Sequence, residues 1–165
     1  MVMERKQTVD ATDVDCAYAA GLIDGEGCIT ILKRMPCGKA LSPSYQVTVV
    51  VNMGDPEPID FLWERWRGFR GSDKDKRTGY VSYRWQIQSH KAARFLEMVQ
   101  PYLKHKRKQA DIALEFHCLK KEARQGGRRR LADGVRAEYE RCYLAIMATH
   151  QNVRRAKGRP RTRLL

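Results

Sequence analysis

Polar side chains recur along four short segments that are predicted to be β-strands. In three of them, hydrophobic residues such as Val47 and Val49 face one way and mostly polar residues face the other, and the segment over 72–77 is polar and basic. Polar side chains in this arrangement could contact base edges in a DNA major groove, or phosphates, but an ordinary solvated sheet face has a similar composition. The candidate DNA contacts on these segments are Thr30, Leu32, Arg34, Gln46, Thr48, Asn52, Lys74, Lys76, Arg77, Arg84 and Gln86.

Positive charge is concentrated in two parts of the chain. The 165 residues carry a net charge of +13, and the whole excess lies in 104–130, with 10 basic and 3 acidic residues, and in 153–165, with 6 basic and no acidic residues. Such a field suits a polyphosphate ligand, because each Lys or Arg placed on a phosphate releases condensed counterions. A solvated basic face is the alternative. Lys104 and Lys108 are therefore added to the candidate DNA contacts.

Composition excludes several classes of protein. With 42% hydrophobic and 31% charged residues, the chain is typical of a single globular domain. Its five cysteines include no close pair, and its four histidines do not combine with them at zinc-finger spacing, so neither a disulfide framework nor a structural zinc is expected. No apolar run is long enough to span a bilayer. We expect a soluble, intracellular protein, in the cytoplasm or an organelle matrix in contact with DNA.

The first predicted helix has an unusual face. It begins after Thr12, with Asp15 as its capping-box partner, and runs to about Asp24. One face carries only small residues and an acid, where a core helix would carry Leu or Ile. A glycine inside a helix costs about 1 kcal/mol relative to alanine, and this cost is understandable if another backbone comes close. The helix is predicted to pack against another helix through Ala17, Ala20, Gly21 and Asp24.

The remaining elements follow from periodicity and from turn residues. Two strands precede a helix that begins at Pro56 and ends at about Arg67, and two more strands follow it. A third helix is expected to be capped by Ser89. Two later helices are expected to run over about 106–123 and 131–149. The predicted order is α-β-β-α-β-β-α with further C-terminal helices. The third strand is expected over 72–77, with a turn at Thr78–Gly79.

The segment Ala19–Gly27 (A-A-G-L-I-D-G-E-G) resembles the motif that names the LAGLIDADG homing endonucleases. The segment 101–110 (P-Y-L-K-H-K-R-K-Q-A) looks like the basic stretch that opens a later helix in the single-motif members. The resemblance covers roughly 12–125 and implies an α+β fold, an αββαββα core with a curved antiparallel DNA-binding sheet. Around this domain we expect an N-terminal extension over 1–11, a helical extension over 126–152 and a disordered basic tail over 153–165.

The resemblance implies a site-specific double-strand DNA endonuclease. It would cut a long pseudo-palindromic target with 3′ overhangs, using Mg²⁺, with Mn²⁺ as a substitute, as in intron homing. A single motif implies a homodimer with the small-residue stripe on the two-fold axis. Glu26 would then be the essential metal ligand, helped by the Gly25 carbonyl. Lys106 matches the family's active-site lysine, with an ordinary phosphate contact as the alternative, and Asp24 would cap the neighbouring motif helix.

The sequence departs from the family pattern at several positions. Glu26 stands where the motif has Asp, a milder change that keeps the carboxylate, and the basic residue that usually follows the second strand has no clear equivalent in 56–60. Relatives often carry a glutamine after the second strand that positions water, and this chain has Asp55 there, which we keep as a candidate catalytic residue. An extra acid could impair cutting, so the alternatives are an intron RNA maturase and a sequence-specific DNA-binding protein that does not cut. The segment 157–161 (K-G-R-P-R) resembles an AT-hook, although a nonspecific electrostatic tether is favoured.

Overall fold

The described chain contains one four-stranded sheet, and its helices precede, separate and follow the strands. The computed structural model describes residues 11–36, 42–125 and 133–156. A short 3₁₀ turn over Gln100–Tyr102 precedes α4. In chain order the elements are α1 (Asp13–Glu26), β1 (Gly27–Arg34), β2 (Ser44–Met53), α2 (Pro56–Trp66), β3 (Phe69–Lys74), β4 (Val81–Gln88), α3 (Ser89–Val99), α4 (Arg107–Gln125) and α5 (Asp133–Ala156). This order confirms the predicted αββαββα core and the α+β class.

The sheet is antiparallel throughout, with strand order β1-β2-β4-β3. Ile29 pairs with Val49, which pairs with Ile87, and all three side chains are buried. The neighbouring row, Thr30 with Thr48, points to the opposite face because successive strand residues alternate. The hydrophobic rows therefore define an inner face, which lies on the core, and an outer face that carries the polar rows.

The core lies between the inner face and the helices. Trp85 on β4 is fully buried, and its indole Nε1 donates to the Arg67 carbonyl at 2.7 Å, which satisfies the polar end of the ring. Phe95 on α3 packs against Trp85 with ring centroids 5.2 Å apart. Phe116 on α4 is also fully buried. The inner-face residues predicted from the alternation are thus confirmed as core residues.

Helix α5 belongs to the same core. Tyr139, Cys142 and Ile146 are buried in the cluster that contains the sheet residues. At its edge, Lys33 Nζ donates to both carboxylate oxygens of Glu140 at 2.8 Å, and Tyr45 Oη also donates to that carboxylate. These hydrogen bonds lower the pKa of Glu140, the one from Lys33 most strongly. The C-terminal helix is therefore attached to β1 and β2 by both apolar and charged contacts.

Two predicted boundaries are wrong. Strand β3 begins at Phe69 rather than at 72 and ends at Lys74, because Asp75 starts a turn: its carboxylate accepts from the amides of Arg77 and Thr78 at 2.8 and 2.9 Å. Helix α3 is not capped by Ser89, which has a φ of 56° and is the first helical residue, since Gln88 occupies the cap without a side-chain hydrogen bond.

Several predictions fall outside the described residues. These are most of the N-terminal extension predicted over 1–11, the start of the helical extension over 126–132, and the part of the predicted basic tail from 157 on, with its AT-hook-like segment; the first part of that tail, 153–156, is helical rather than disordered. Helix α5 begins at Asp133 and continues to Ala156, beyond the predicted end at Thr149. Within the described ranges, no helix is both long and apolar enough to cross a membrane.

Candidate functional site

Helix α1 presents Glu26 at its C-terminal end. The helix starts with the predicted capping box, in which Thr12 Oγ1 accepts from the Asp15 amide at 3.2 Å and the Thr12 amide donates to Asp15 Oδ2 at 2.9 Å. At the other end, a Cβ on Gly27 would lie 2.7 Å from Ile23 Cα, so only glycine allows the chain to turn directly from helix into β1. This turn leaves Glu26 exposed between the last helical turn and the first strand.

Asp24 and Lys106 fasten the end of α1 to the segment that leads into α4. Asp24 Oδ2 accepts from the Lys104 amide at 2.7 Å, and Oδ1 accepts from the Lys106 amide at 2.9 Å. In return, Lys106 Nζ donates to the carbonyls of Ile23 and Asp24 at 2.6 and 2.7 Å. A cation at these last helical carbonyls also opposes the negative end of the helix dipole.

The pKa of Asp24 reflects these contacts. Burial raises it, but hydrogen bonds from the backbone amides of Lys104, Lys106 and His105 outweigh that effect and hold the pKa below its ordinary value. The carboxylate caps the backbone ahead of α4 in its own chain. The role predicted for it at a neighbouring motif helix stays a prediction; within this chain its two oxygens accept from the Lys104 and Lys106 amides.

A small cavity of about 300 Å³ lies beside Glu26. Asn52, at the end of β2, and Ser82, on β4, line it together with the exposed Tyr80. A Cβ on Gly54 would lie 2.2 Å from Tyr80 Oη, so glycine at this position lets the phenol hydroxyl lie against the chain. Sequence reasoning missed Tyr80 and Ser82; the pairing of β2 with β4 was the signal that could have placed them beside the end of β2.

Asp55 has a structural role in this arrangement. Its carboxylate accepts from the Glu57 amide at 3.1 Å and caps α2, whose first residue is Pro56. It is also absent from the lining of the cavity beside Glu26. Its assignment as a catalytic candidate stays a prediction, and the helix that begins after it accounts for an acid at this position.

The helix-contact face predicted for α1 overlaps only in part with the side of the helix that is exposed. Ala20 is fully buried, with Cys16 and Ile23, so its assignment to a contact with another helix is wrong. Asp24 is half-buried. The opposite face is exposed and mostly apolar, and a Cβ on Gly21 or Gly25 would meet no described atom within 4 Å. This exposed α1 face consists of Val14, Ala17, Tyr18, Gly21 and Gly25.

Because α1 carries small or apolar residues on two opposite sides, one side packs on the core and the other lacks cover within the described chain. Val14 is 78% exposed and Tyr18 is 48% exposed. Phe61 of α2 extends this surface, since its ring meets the Tyr18 ring edge to face with centroids 4.9 Å apart. Contiguous exposed apolar surface of this kind is typical of an interaction site.

The outer face of the sheet carries most of the predicted DNA contacts. Thr30, Leu32, Gln46 and Gln86 are half-buried there, and Arg34 and Asn52 are exposed. Among the described residues, Arg84 Nε is buried without a hydrogen-bond partner. Arg84 stands opposite Asn52 across the β2–β4 pair.

Four of the predicted contacts need correction. Thr48 lies on the outer face but is only 1% exposed, because it stands on a central strand between Thr30 and Gln88. Lys74 pairs with Val81 and so shares the inner face, where it is exposed beyond the core. Lys76 and Arg77 lie in the exposed turn after β3 instead of on a strand. Lys104 and Lys108 are exposed near the start of α4, as expected.

The oxygen atoms at the end of α1 meet only some of the requirements of a Mg²⁺ site. The described residues contain no group of three or more His, Cys, Asp or Glu side chains that could hold a metal ion. Glu26 and the Gly25 carbonyl supply hard oxygen ligands, which suit Mg²⁺, but two ligands make only part of a site. Glu26 and the Gly25 carbonyl therefore suit part of the coordination shell of the ion, and its remaining ligands would come from outside this pair.

No protein-family model and no curated protein matches the chain, but solved structures do. The homing endonuclease I-CvuI, in complex with its target in the presence of Ca, superposes with a TM-score of 0.60 at 16% identity, covering 93% of this chain and 87% of that one. The archaeal intron-encoded homing endonuclease I-Vdi141I, complexed with DNA, gives a TM-score of 0.66 at 11% identity, covering 83% and 84%. I-SmaMI, bound to uncleaved DNA, gives 0.63 at 14%, and this chain covers 44% of its length.

These likenesses define a class of fold: an α+β domain in which an αββαββα order forms one antiparallel sheet. The chain has the fold of the LAGLIDADG homing endonucleases, and the resemblance carried by the motif at Ala19–Gly27 is confirmed at this level.

Proposed function

We propose that the chain is a site-specific double-strand DNA endonuclease that acts as a homodimer. The observation that carries the proposal is the position of Glu26, an exposed carboxylate at the end of a helix whose exposed face is apolar and built from small residues. If two copies pack along that face around a two-fold axis, both Glu26 carboxylates come to the same end of the helix pair.

The exposed α1 face supports the homodimer. Ala17, Gly21 and Gly25 leave room for a second backbone, and Val14 and Tyr18 supply apolar area that a partner would remove from water. The chain contains one such motif, so the partner that fits is a second copy.

The chain's own residues can be given roles beside a bound phosphate. Glu26 and the Gly25 carbonyl would hold Mg²⁺, or Mn²⁺ in its place. When bound, such an ion lowers the pKa of water and stabilises charge on the leaving oxygen. Lys106 would provide positive charge close to Glu26, since its amino group lies on the last carbonyls of α1. Asn52, Ser82 and Tyr80 would orient phosphate or water in the adjoining cavity.

The outer face of the sheet would bind the target. Strands of eight to ten residues at about 3.3 Å per residue span about 30 Å, which matches about nine base pairs. Two sheets related by a two-fold axis would then contact a long pseudo-palindromic site, with both strands cut between the half-sites to leave 3′ overhangs. This is the geometry expected of intron homing.

The proposal is tested by incubating the protein with a randomised double-stranded DNA library and Mg²⁺. We expect cut molecules that share one long site with approximate two-fold symmetry. The same protein in EDTA should bind that site and leave it intact. Binding to one site without cutting in Mg²⁺ or Mn²⁺ would contradict the endonuclease and would support the DNA-binding alternative. Selective retention of RNA with no DNA site would support the maturase.

A further inference from the structure

A second cavity, of about 630 Å³, lies between α3 and α4 and shares no lining residue with the cavity beside Glu26. Its floor is apolar, formed by Val47 of the inner sheet face and Phe116 of α4. The rest of the described lining holds three cations, one acid, two histidines and a serine. Its charged and titratable side chains are His90, Arg94 and Glu97 from α3, and His117, Lys120 and Lys121 from α4.

Two of these cations lack an acidic partner within the described chain. Within the ranges that the structure describes, neither Arg94 nor Lys121 forms an ion pair, and Glu97 is the single acid in the lining. The cavity therefore has an excess of positive charge.

The pKa of His117 is lowered chiefly by burial. Glu97 raises it, and the nearby charges of Lys120, His90 and Lys121 lower it further. An anion in the cavity would reverse these effects, because an opposite charge favours the protonated imidazole.

We propose that this cavity binds a phosphate group. The Arg94 guanidinium offers paired N–H donors that match phosphate oxygens, Lys121 adds a point charge, and the two histidines can become cationic donors when an anion arrives. The N-terminus of α3 adds partial positive charge at Ser89 and His90. The volume is typical of small-ligand sites and exceeds one phosphate, so the group is part of a larger ligand or of a nucleic-acid backbone.

The test follows the His117 titration by NMR in the full chain, in inorganic phosphate and in chloride at equal ionic strength. We expect phosphate to raise the His117 pKa in a saturable manner that chloride does not reproduce. Arg94→Ala should weaken the phosphate effect at least about tenfold. Lys91→Ala removes the same charge from the same helix but lies outside the cavity lining, and it should change the effect less than about twofold.

A second experiment distinguishes the two sources of a phosphate group. It repeats the His117 titration with a short single-stranded oligonucleotide that lacks terminal phosphates. If the oligonucleotide raises the His117 pKa as phosphate does, the ligand is a phosphodiester backbone. If inorganic phosphate alone does so, the ligand is a phosphorylated small molecule. The proposal is overturned if neither probe shifts His117, or if Arg94→Ala and Lys91→Ala behave alike.

Discussion

Glu26 is set apart from the other acids of the chain by its surroundings. Asp24, two residues earlier, accepts two backbone amides, and Asp55 caps α2. Glu26 is exposed at the end of α1 and lines a cavity with polar neighbours. Chemistry at this end of the molecule is therefore expected to depend on Glu26, whereas Asp24 and Asp55 support the backbone.

Glu26→Gln keeps the size of the side chain but removes the charge that a metal ligand needs. Under the proposed function, we expect DNA cleavage to fall at least about a hundredfold, a larger loss than removal of an outer-shell partner causes, while the affinity for the target changes little. Glu64→Gln, at an exposed position on α2, is the matched control and should cut normally. Equal cleavage by both variants would refute the role given to Glu26.

Asp24 should contribute stability that depends on pH. Because its pKa is lowered in the folded chain, the contribution is complete well above the unfolded value of about 3.9 and is lost as pH falls through the folded pKa. Loss of a helix-capping carboxylate costs about 1 kcal/mol. We expect Asp24→Ala to lower the free energy of unfolding by that amount at pH 7, measured by urea denaturation, and the difference from wild type to shrink below pH 4. A difference that is independent of pH would contradict the assignment.

The residue scale also shows where sequence reasoning succeeds. Glu26, Gly25 and Lys106 can be proposed from the sequence because each lies in a short segment that matches the family locally, and the structural role expected of Asp24 agrees with its hydrogen bonds to the Lys104 and Lys106 amides. Tyr80 and Ser82 are missed because their position beside Glu26 depends on the pairing of β4 with β2, which joins residues about 30 apart. Thr48 is misplaced because alternation gives the face of the sheet but not how tightly neighbouring strands cover it.

Helix α1 is the element on which assembly depends. Its inner side is fixed in the core by Ala20 and Ile23, so only the exposed side is available to a partner. The small-residue face predicted from the sequence is displaced around α1 from the face that is exposed. Glycine and alanine suit both a close contact in the core and a contact between two helices, so they do not distinguish the two faces. The position of the sheet decides which face of α1 is buried, and the spacing of residues within the helix does not contain that information.

Ala17→Glu places a charge on the exposed α1 face. In a two-fold pair the two carboxylates would oppose each other without water around them, so we expect dimerisation to weaken at least about a hundredfold, a loss of about 3 kcal/mol. Analytical ultracentrifugation of the full chain measures this. Ala137→Glu, at an exposed position of α5, is the control and should remain dimeric. A wild-type protein that stays monomeric at the concentrations used for DNA binding would contradict the proposed assembly.

Helix α5 is expected to fold with the rest of the domain. Ile146 is fully buried in the common core, while Leu144, two residues away on the same helix, is 57% exposed. Ile146→Ala should therefore lower the free energy of unfolding by about 3 kcal/mol, in one cooperative transition. Leu144→Ala should cost less than about 0.5 kcal/mol. Similar small effects from both substitutions would show that α5 contributes little to the stability of the domain.

At the scale of the whole molecule, the uneven charge acquires a structural meaning. The sheet face, the α1 face and Glu26 all lie in the part of the chain whose charges balance, and the basic excess begins at Lys104, next to the contacts that hold α1. Lys104 and Lys108 are exposed there, where they could hold a DNA backbone near the proposed cleavage site. The further basic residues of α3 and α4 surround the separate cavity that we assign to phosphate.

The order of elements could be predicted because three of the four strands alternate hydrophobic and polar residues and because the helices have their own start and stop signals. What could not be predicted is how the molecule uses its surfaces. The start of β3 at Phe69 follows from pairing with β4, since Arg70 and Gly71 carry no strand signal of their own. The proposed homodimer likewise depends on which residues share the exposed α1 face, and the order of residues along the helix does not give this.

The central claim, that cutting needs Glu26 from two copies at one site, is tested most directly by co-expressing wild-type and Glu26→Gln chains in varied proportions. The DNA target from the library experiment is then cut in Mg²⁺ at a fixed total protein concentration. If subunits pair at random, we predict that double-strand cleavage falls with the square of the wild-type fraction. Cleavage that falls in direct proportion to that fraction, or its absence with wild-type protein alone, would contradict the account.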